Sequence, residues 1–357
     1  MAKAGMALLM HATAIAGAAA TPKAVAAPVA AAAASQQQQA RDLAYAREYY
    51  VLRSAALSDA QRQQALGYIA ARLHERRPYS EAEFLVILLR IAAFADNGHD
   101  YFDNGQGWWP AARLPLTLAA FPDALLVTHA PPGQADLVGA RIAAIDGLPT
   151  EALLRQLHDY FGGPPNYVRW SGMWAIETAQ ILHAMGLARR ADSLQLTLHR
   201  RDGRRITRRI AFVPYAAWAG GNRMHSLQRE PGNAPQPLYL QQPDQLFRRL
   251  RLPEADALYL QFRSHTGSAA EPILPFIAAA TQELADRGAR NLILDLRFDS
   301  GGNSELSMAL METIARSVSG KIYIITGEHT FSAGIVTAAK LKQAAGARAP
   351  KVQASAW

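Results

Sequence analysis

The chain has 357 residues, length for about two domains; half are hydrophobic and only 18% charged, which excludes a largely disordered polyelectrolyte. It contains no cysteine, so a disulfide scaffold, a thiol nucleophile and a thiolate-bound zinc or iron–sulfur centre are excluded. The net charge of +8 is spread along the chain apart from one arginine-rich stretch, and does not by itself specify an anionic partner.

At the N-terminus Lys3 precedes an apolar run over 6–20, and Ala24-Val25-Ala26 carries the small-x-small pattern of a cleavage site. Residues 1–26 read as a secretory signal peptide, and the Ala- and Gln-rich residues 27–40 as a flexible leader. The apolar run is shorter than the roughly 20 residues of a membrane helix. The expectation is an exported chain, periplasmic or extracellular, with no stable membrane span after signal cleavage.

Residues 41–113 read as a helical region, with Tyr49, Leu52, Leu57, Ala65, Tyr68, Ile69 and Leu73 at helical spacing and a strongly apolar helix over 81–91. The turn Asp96-Asn97-Gly98-His99 follows. Over 114–219 the pattern changes to short strands at 124–129, 140–145, 194–200 and 204–212 around helical pieces at 151–159 and 174–185. Arg201-Asp202-Gly203 marks a hairpin, and a polar, Pro- and Gly-rich linker spans 220–237.

From 238 to 348 strands at 257–262, 292–296 and 321–326 alternate with helices at 273–287, 306–318 and 332–344. That order predicts an α/β fold with parallel strands covered by helices. Two motifs in this block carry chemistry. A buried strand ends in Asp295-Leu296-Arg297 and runs into Asp299-Ser300-Gly301-Gly302-Asn303, where paired glycines let backbone amides approach a ligand or an oxyanion. Thr330-Phe331-Ser332-Ala333-Gly334 places a serine at the start of a helix, where the dipole favours developing negative charge. Singly, the glycines would only shape a turn and the serine would only cap a helix. Together they follow two strands whose carboxyl ends are expected to be neighbours, where open α/β sheets bind ligands.

Leu292-Ile293-Leu294-Asp295-Leu296-Arg297, then Gly301-Gly302, then 321–326 leading into Thr330-Phe331-Ser332-Ala333-Gly334, resembles the tail-specific, or C-terminal processing, serine protease family. The resemblance implies a crotonase-like α/β protease core. The run from Asp136 to Gly147 is similar to the central part of the PDZ domains of these proteases, which makes 114–219 a PDZ-like β-rich domain. It further implies an exported serine endopeptidase of polypeptide substrates that works without metal or cofactor. Ser332 is then the nucleophile, and the backbone amides of Gly302 and Ala333 are the oxyanion hole.

The lysine base of the bacterial processing enzymes has no counterpart in its expected turn. Lys340 lies eight residues beyond Ser332, about 12 Å along one helix and out of hydrogen-bond reach. Lys342 fails in the same way, and Lys351 lies in a tail without the family's pattern. The tricorn-like branch of the family pairs its serine with an upstream histidine, and His99 occupies that turn, with Asp96 and Asp100 as candidates to orient it. Its structural alternative is a turn histidine bonded locally, and His265 and His329 at strand ends are weaker candidates. The branch's accompanying serine is replaced by Gly98, and 349–357 departs from the family. The expectation is a truncated tail that leaves one sheet edge unpaired, and the alternative function is a catalytically inactive peptide- or ligand-binding module.

An α/β-hydrolase is excluded because Thr330 stands where the first glycine of its serine motif belongs and no histidine follows Ser332. Arg200, Arg201, Arg204, Arg205, Arg208 and Arg209 flank the hairpin turn and read as its solvated face, with no nucleic-acid partner expected. Trp108, Trp109, Trp170 and Trp174 read as packing residues rather than a peptide-binding wall.

Overall fold

In the computed structural model, which describes residues 36–102, 112–121, 123–215, 217, 225–226, 236–286 and 289–349, the chain divides into two compact units, the first ending at Asn233 and the second beginning at Ala234. The signal peptide, Trp108, Trp109, most of the linker at 220–237, Lys351 and the rest of the tail past 349 lie outside the described residues.

The first unit opens with helix α1 (Gln36–Ala46), which begins inside the segment expected to be a flexible leader. Gln39 explains the early start: it is buried, and its amide group both donates to the Tyr79 carbonyl at 2.8 Å and accepts from the Tyr79 amide at 2.9 Å. Helices α2 (Asp59–His74) and α3 (Glu81–Ala93) each start in a capping box, Ser58 with Gln61 and Ser80 with Glu83. α3 is apolar nearly all round because it serves two cores. Val86 and Leu89 face the sheet described next, whereas Ile87 and Ile91 pack on α1 and α2 residues such as Leu43 and Ile69.

The sheet region contains β1 (Ala112–Arg113), β2 (Thr117–Ala120), β3 (Leu125–Ala130), β4 (Arg141–Ile145), β5 (Leu148–Pro149), β6 (Ser193–His199), β7 (Arg205–Ala211), β8 (Val213–Pro214) and β9 (His225–Ser226). All its pairs are antiparallel, in the order β2-β3-β4-β6-β7, with β5 on β4, β9 on β3 and a separate β1-β8 pair. The β6-β7 hairpin forms where the sequence places it, with Gly203 at φ +82° in its turn. Arg208 pairs with Asp136 at 3.0 Å, Arg200 with the same carboxylate at 3.6 Å, and the remaining arginines of the stretch lie on the outer face.

Helices α4 (Thr150–Leu157), α5 (Pro165–Ile176) and α6 (Ala179–Ala184) cover this core. The single helix expected over 174–185 is broken at Glu177-Thr178. Glu177 turns inward there, pairing with Arg113 and accepting the Leu118 amide at 2.8 Å, and burial raises its carboxyl above the usual range. Trp174 packs against the core and Trp170 makes an edge contact with Tyr167.

The second unit contains β10 (Phe247–Leu252), β11 (Ala257–Phe262), helix α7 (Ile273–Ala285), β12 (Asn291–Asp295), α8 (Glu305–Ser317), β13 (Ile322–Ile325) and α9 (Ala333–Ala345). β11, β12 and β13 are parallel, as expected, while β10 adds an antiparallel strand that the sequence reading did not find. All six residues of β11 are buried, and Leu258, Leu260, Leu292, Leu294 and Ile322 share one core with Ile277, Ile314 and Leu341 of the helices. Burying a side chain of this size contributes roughly 1.5–3 kcal/mol, so this cluster holds the carboxyl ends of the three strands in register. Among the described residues β13 is an edge strand. No helix of the described residues is long and apolar enough to cross a membrane.

Candidate active site

Three loops leave the carboxyl ends of the parallel strands: His265 follows β11, Asp299-Ser300-Gly301-Gly302 follows β12, and Ser332 closes the loop after β13. The structure brings both sequence motifs together there. Gly301, at φ +104°, lies so close to the serine that a Cβ on it would stand 2.7 Å from the Ser332 Cβ and 3.0 Å from the Phe331 carbonyl oxygen. Gly302, at φ +139°, approaches the backbone of His265, where a Cβ would come within 2.7 Å of the carbonyl carbon. Only glycine fits either position.

Ser332 has φ +48° and ψ −118°, and its side chain makes no capping hydrogen bond with α9. A non-glycine residue held there carries about 1–3 kcal/mol of strain. Three hydrogen bonds hold the surrounding backbone. Phe331 donates its amide to the Asp299 carbonyl at 2.9 Å, Gly334 donates to the Phe331 carbonyl at 2.9 Å, and Thr330 Oγ1 donates to the Leu296 carbonyl at 2.7 Å. Gly334 must also be small, since a Cβ would lie 3.0 Å from the Asp299 carbonyl oxygen. Among the described residues, neither the Gly302 nor the Ala333 amide donates to a backbone carbonyl.

Asp299 organises the turn. Its Oδ1 accepts the Gly301 amide at 3.0 Å, and its Oδ2 lies 2.7 Å from His265 Nδ1, a contact that is close but not aligned as a hydrogen bond. The other ring nitrogen of His265 lies 2.7 Å from Thr337 Oγ1. His265 is thus in the serine's own unit, but it is fully buried and both nitrogens face a partner. His329 is exposed, its ring 6.1 Å from that of Phe298. Lys340 and Lys342 are exposed on α9, and Lys340 lines a surface groove with Glu312 and Arg316 of α8.

His99 belongs to the first unit, half-buried in its turn, where its amide donates to Asn97 Oδ1 at 3.1 Å. The two carboxylates considered as its orienting partners are engaged elsewhere. Asp96 accepts the Gly163 amide at 2.9 Å and pairs with His158 Nε2 at 3.0 Å, and Asp100 accepts the Tyr50 hydroxyl at 2.9 Å. The sequence reading assigned no role to Asp299 or Thr337. A signal existed for His265 alone, a histidine three residues beyond a wholly buried strand.

The fold is similar to that of mature CPAF. In its complex with lactacystin that protein matches over 78% of this chain and 59% of its own, at 15% identity and a TM-score of 0.52. The likeness to CPAF shows the fold alone, and the present chain spans under two thirds of CPAF's length. Weaker matches are the photosystem II D1 C-terminal processing protease, at 15% identity over 88% of this chain and 80% of that one with a TM-score of 0.34, and a putative S41 protease from Bacteroides fragilis, at 13% identity over 68% and 65% with a TM-score of 0.25. At those scores neither carries an argument. No family profile and no curated protein sequence matches the chain.

Proposed function

We propose that the chain is an exported serine endopeptidase of the tail-specific type, hydrolysing polypeptide substrates through an acyl-enzyme on Ser332 without metal or cofactor. On this reading 238–348 is the crotonase-like protease core and 114–219 the PDZ-like domain. One observation carries it. Ser332 occupies strained backbone at a helix start yet does not cap the helix, and bare glycine backbone lies against it. A serine kept for capping adopts β-region backbone and accepts an amide of the first turn, so strain without capping favours a hydroxyl kept for chemistry.

His99 is assigned as the base on its chemistry and on the resemblance of its turn to the tricorn-like branch. A neutral imidazole takes the hydroxyl proton near neutral pH as Ser332 Oγ bonds to the substrate carbonyl carbon. The carbonyl oxygen takes the displaced electron pair, and the amides of Gly302 and Ala333 stabilise it. Collapse breaks the C–N bond, and the leaving amine takes the proton from His99. Water then gives a proton to His99 and attacks the acyl ester, and Ser332 recovers its proton as the new carboxyl terminus leaves.

The test is labelling of the full-length protein with a fluorophosphonate probe, alongside turnover of an unfolded polypeptide. Modification mapped to Ser332, absent in Ser332→Ala together with turnover, is the expected result. No labelling, or labelling at another residue, overturns the peptidase and leaves the inactive binding module.

A further inference from the structure

Asp299, His265 and Thr337 form a continuous array of a carboxylate, an imidazole and a hydroxyl, with 2.7 Å at each step. All three are fully buried, at 0% exposure. With one ring nitrogen facing Asp299 and the other Thr337, His265 has no nitrogen left to receive the Ser332 proton, so the array is not a second catalytic triad. Each member is instead attached to a different part of the site. His265 donates its amide to the Gly301 carbonyl at 2.7 Å, and its backbone is bridged to Gly302. Asp299 holds the Gly301 amide with its side chain and the Phe331 amide with its carbonyl. Thr337 projects from the second turn of α9, the helix that Ser332 precedes.

We propose that Asp299, His265 and Thr337 are a positioning clamp that sets the Gly301-Gly302 turn against the start of α9, and so fixes the amide of Gly302 relative to Ser332. The proposal rests on the reading of Ser332 as nucleophile. Apolar side chains of similar volume would fill the same space without fixing direction, whereas the Thr337–His265 hydrogen bond restricts both distance and angle and the 2.7 Å Asp299–His265 contact fixes the distance. The clamp touches no substrate, so its loss alters the rate of the chemical step and spares substrate binding.

Thr337→Val keeps the shape of the side chain and removes only the hydroxyl, and Thr337→Ser keeps the hydroxyl. In the full-length protein T337V is expected to lower kcat and the rate of fluorophosphonate labelling at Ser332 by about tenfold or more, the size of effect a small misplacement produces. KM stays within about twofold, and T337S recovers both rates to within about threefold. Labelling at the unaltered rate in T337V, or T337S as slow as T337V, overturns the clamp. Amide hydrogen exchange at 301–303 reads the same geometry without activity: it is expected to quicken in T337V while α7 is unchanged, and equal exchange there also overturns the proposal. Should T337V not fold, His265→Gln is measured against the same two outcomes. A wild-type protein that neither labels nor cleaves defeats the peptidase reading, and the exchange measurement then decides the clamp on its own.

Discussion

Each of the two units packs a pair of glycines into the turns around the residue to which chemistry is assigned. In the second unit the pair is Gly301, against Ser332, and Gly302, against the backbone of His265. In the first it is Gly162-Gly163 against the His99 turn, where a Cβ on Gly162 would fall 2.9 Å from Asp96 Cα and one on Gly163, at φ +112°, 2.8 Å from the Gly98 nitrogen. The pairs differ in what locks them. The serine turn is fixed by a polar array at 0% exposure, whereas Asp96 and His158, which brace the histidine turn, have side chains 54% and 48% exposed. Beside them Tyr50 is kept protonated far above its ordinary range, by burial first and then by the Asp100 carboxylate. A nucleophile must stand within a fraction of an ångström of its oxyanion donors, and the rigid pairing meets that demand. A general base also works through hydrogen bonds that tighten only when substrate is present, which a partly solvated turn allows.

The contrast can be broken most directly at the base. His99→Ala is expected to lower turnover by about 10²–10⁴-fold with the melting temperature little changed, and near-full turnover would remove the histidine turn from the mechanism. Next come the glycines. Gly301→Ala is expected to cost about 2–4 kcal/mol of stability in denaturant melts, since the new Cβ meets both a left-handed backbone and the serine, and to abolish labelling. Gly163→Ala, beside a turn that can give, is expected to cost about 1–3 kcal/mol. Equal costs at the two positions would mean that the turns are equally rigid. The smallest effect belongs to Asp96→Asn, an exposed pair worth about 0–1 kcal/mol. A loss of several kcal/mol there would show that the histidine turn is as tightly held as the serine turn.

Strand and helix alternation made the second unit legible, because strands buried on both faces leave continuous apolar runs such as Leu292-Ile293-Leu294. β10 escaped because Phe247-Arg248-Arg249-Leu250-Arg251-Leu252 reads as charged surface. Arg248 is nonetheless buried, its guanidinium donating to the Leu238 carbonyl at 2.6 Å and to Gln242 at 2.9 Å. The inward turn of Glu177 broke a helix whose periodicity ran on, since its partners Arg113 and Leu118 lie far back in the chain. At the site, the serine and the glycine turn were visible as local motifs. The array behind them was not, because His265 and Thr337 are 72 residues apart and meet only in the folded chain. Gly162-Gly163 likewise reads as an ordinary loop until the opposing turn is in place.

The backbone of Ser332 sets a limit on how this fold tolerates heat. A serine at φ +48° withholds about 1–3 kcal/mol from a folded state whose whole margin is typically about 5–15 kcal/mol. Glycine at position 332 would relax that backbone and raise the melting temperature, and it would delete the hydroxyl in the same stroke. With Ser332 as the proposed nucleophile, selection of variants for thermal resistance alone would drift towards an inert scaffold. Under the proposed function, any screen for a hardier form of this chain has to score turnover at every round, since at this residue endurance and the proposed reactivity pull in opposite directions.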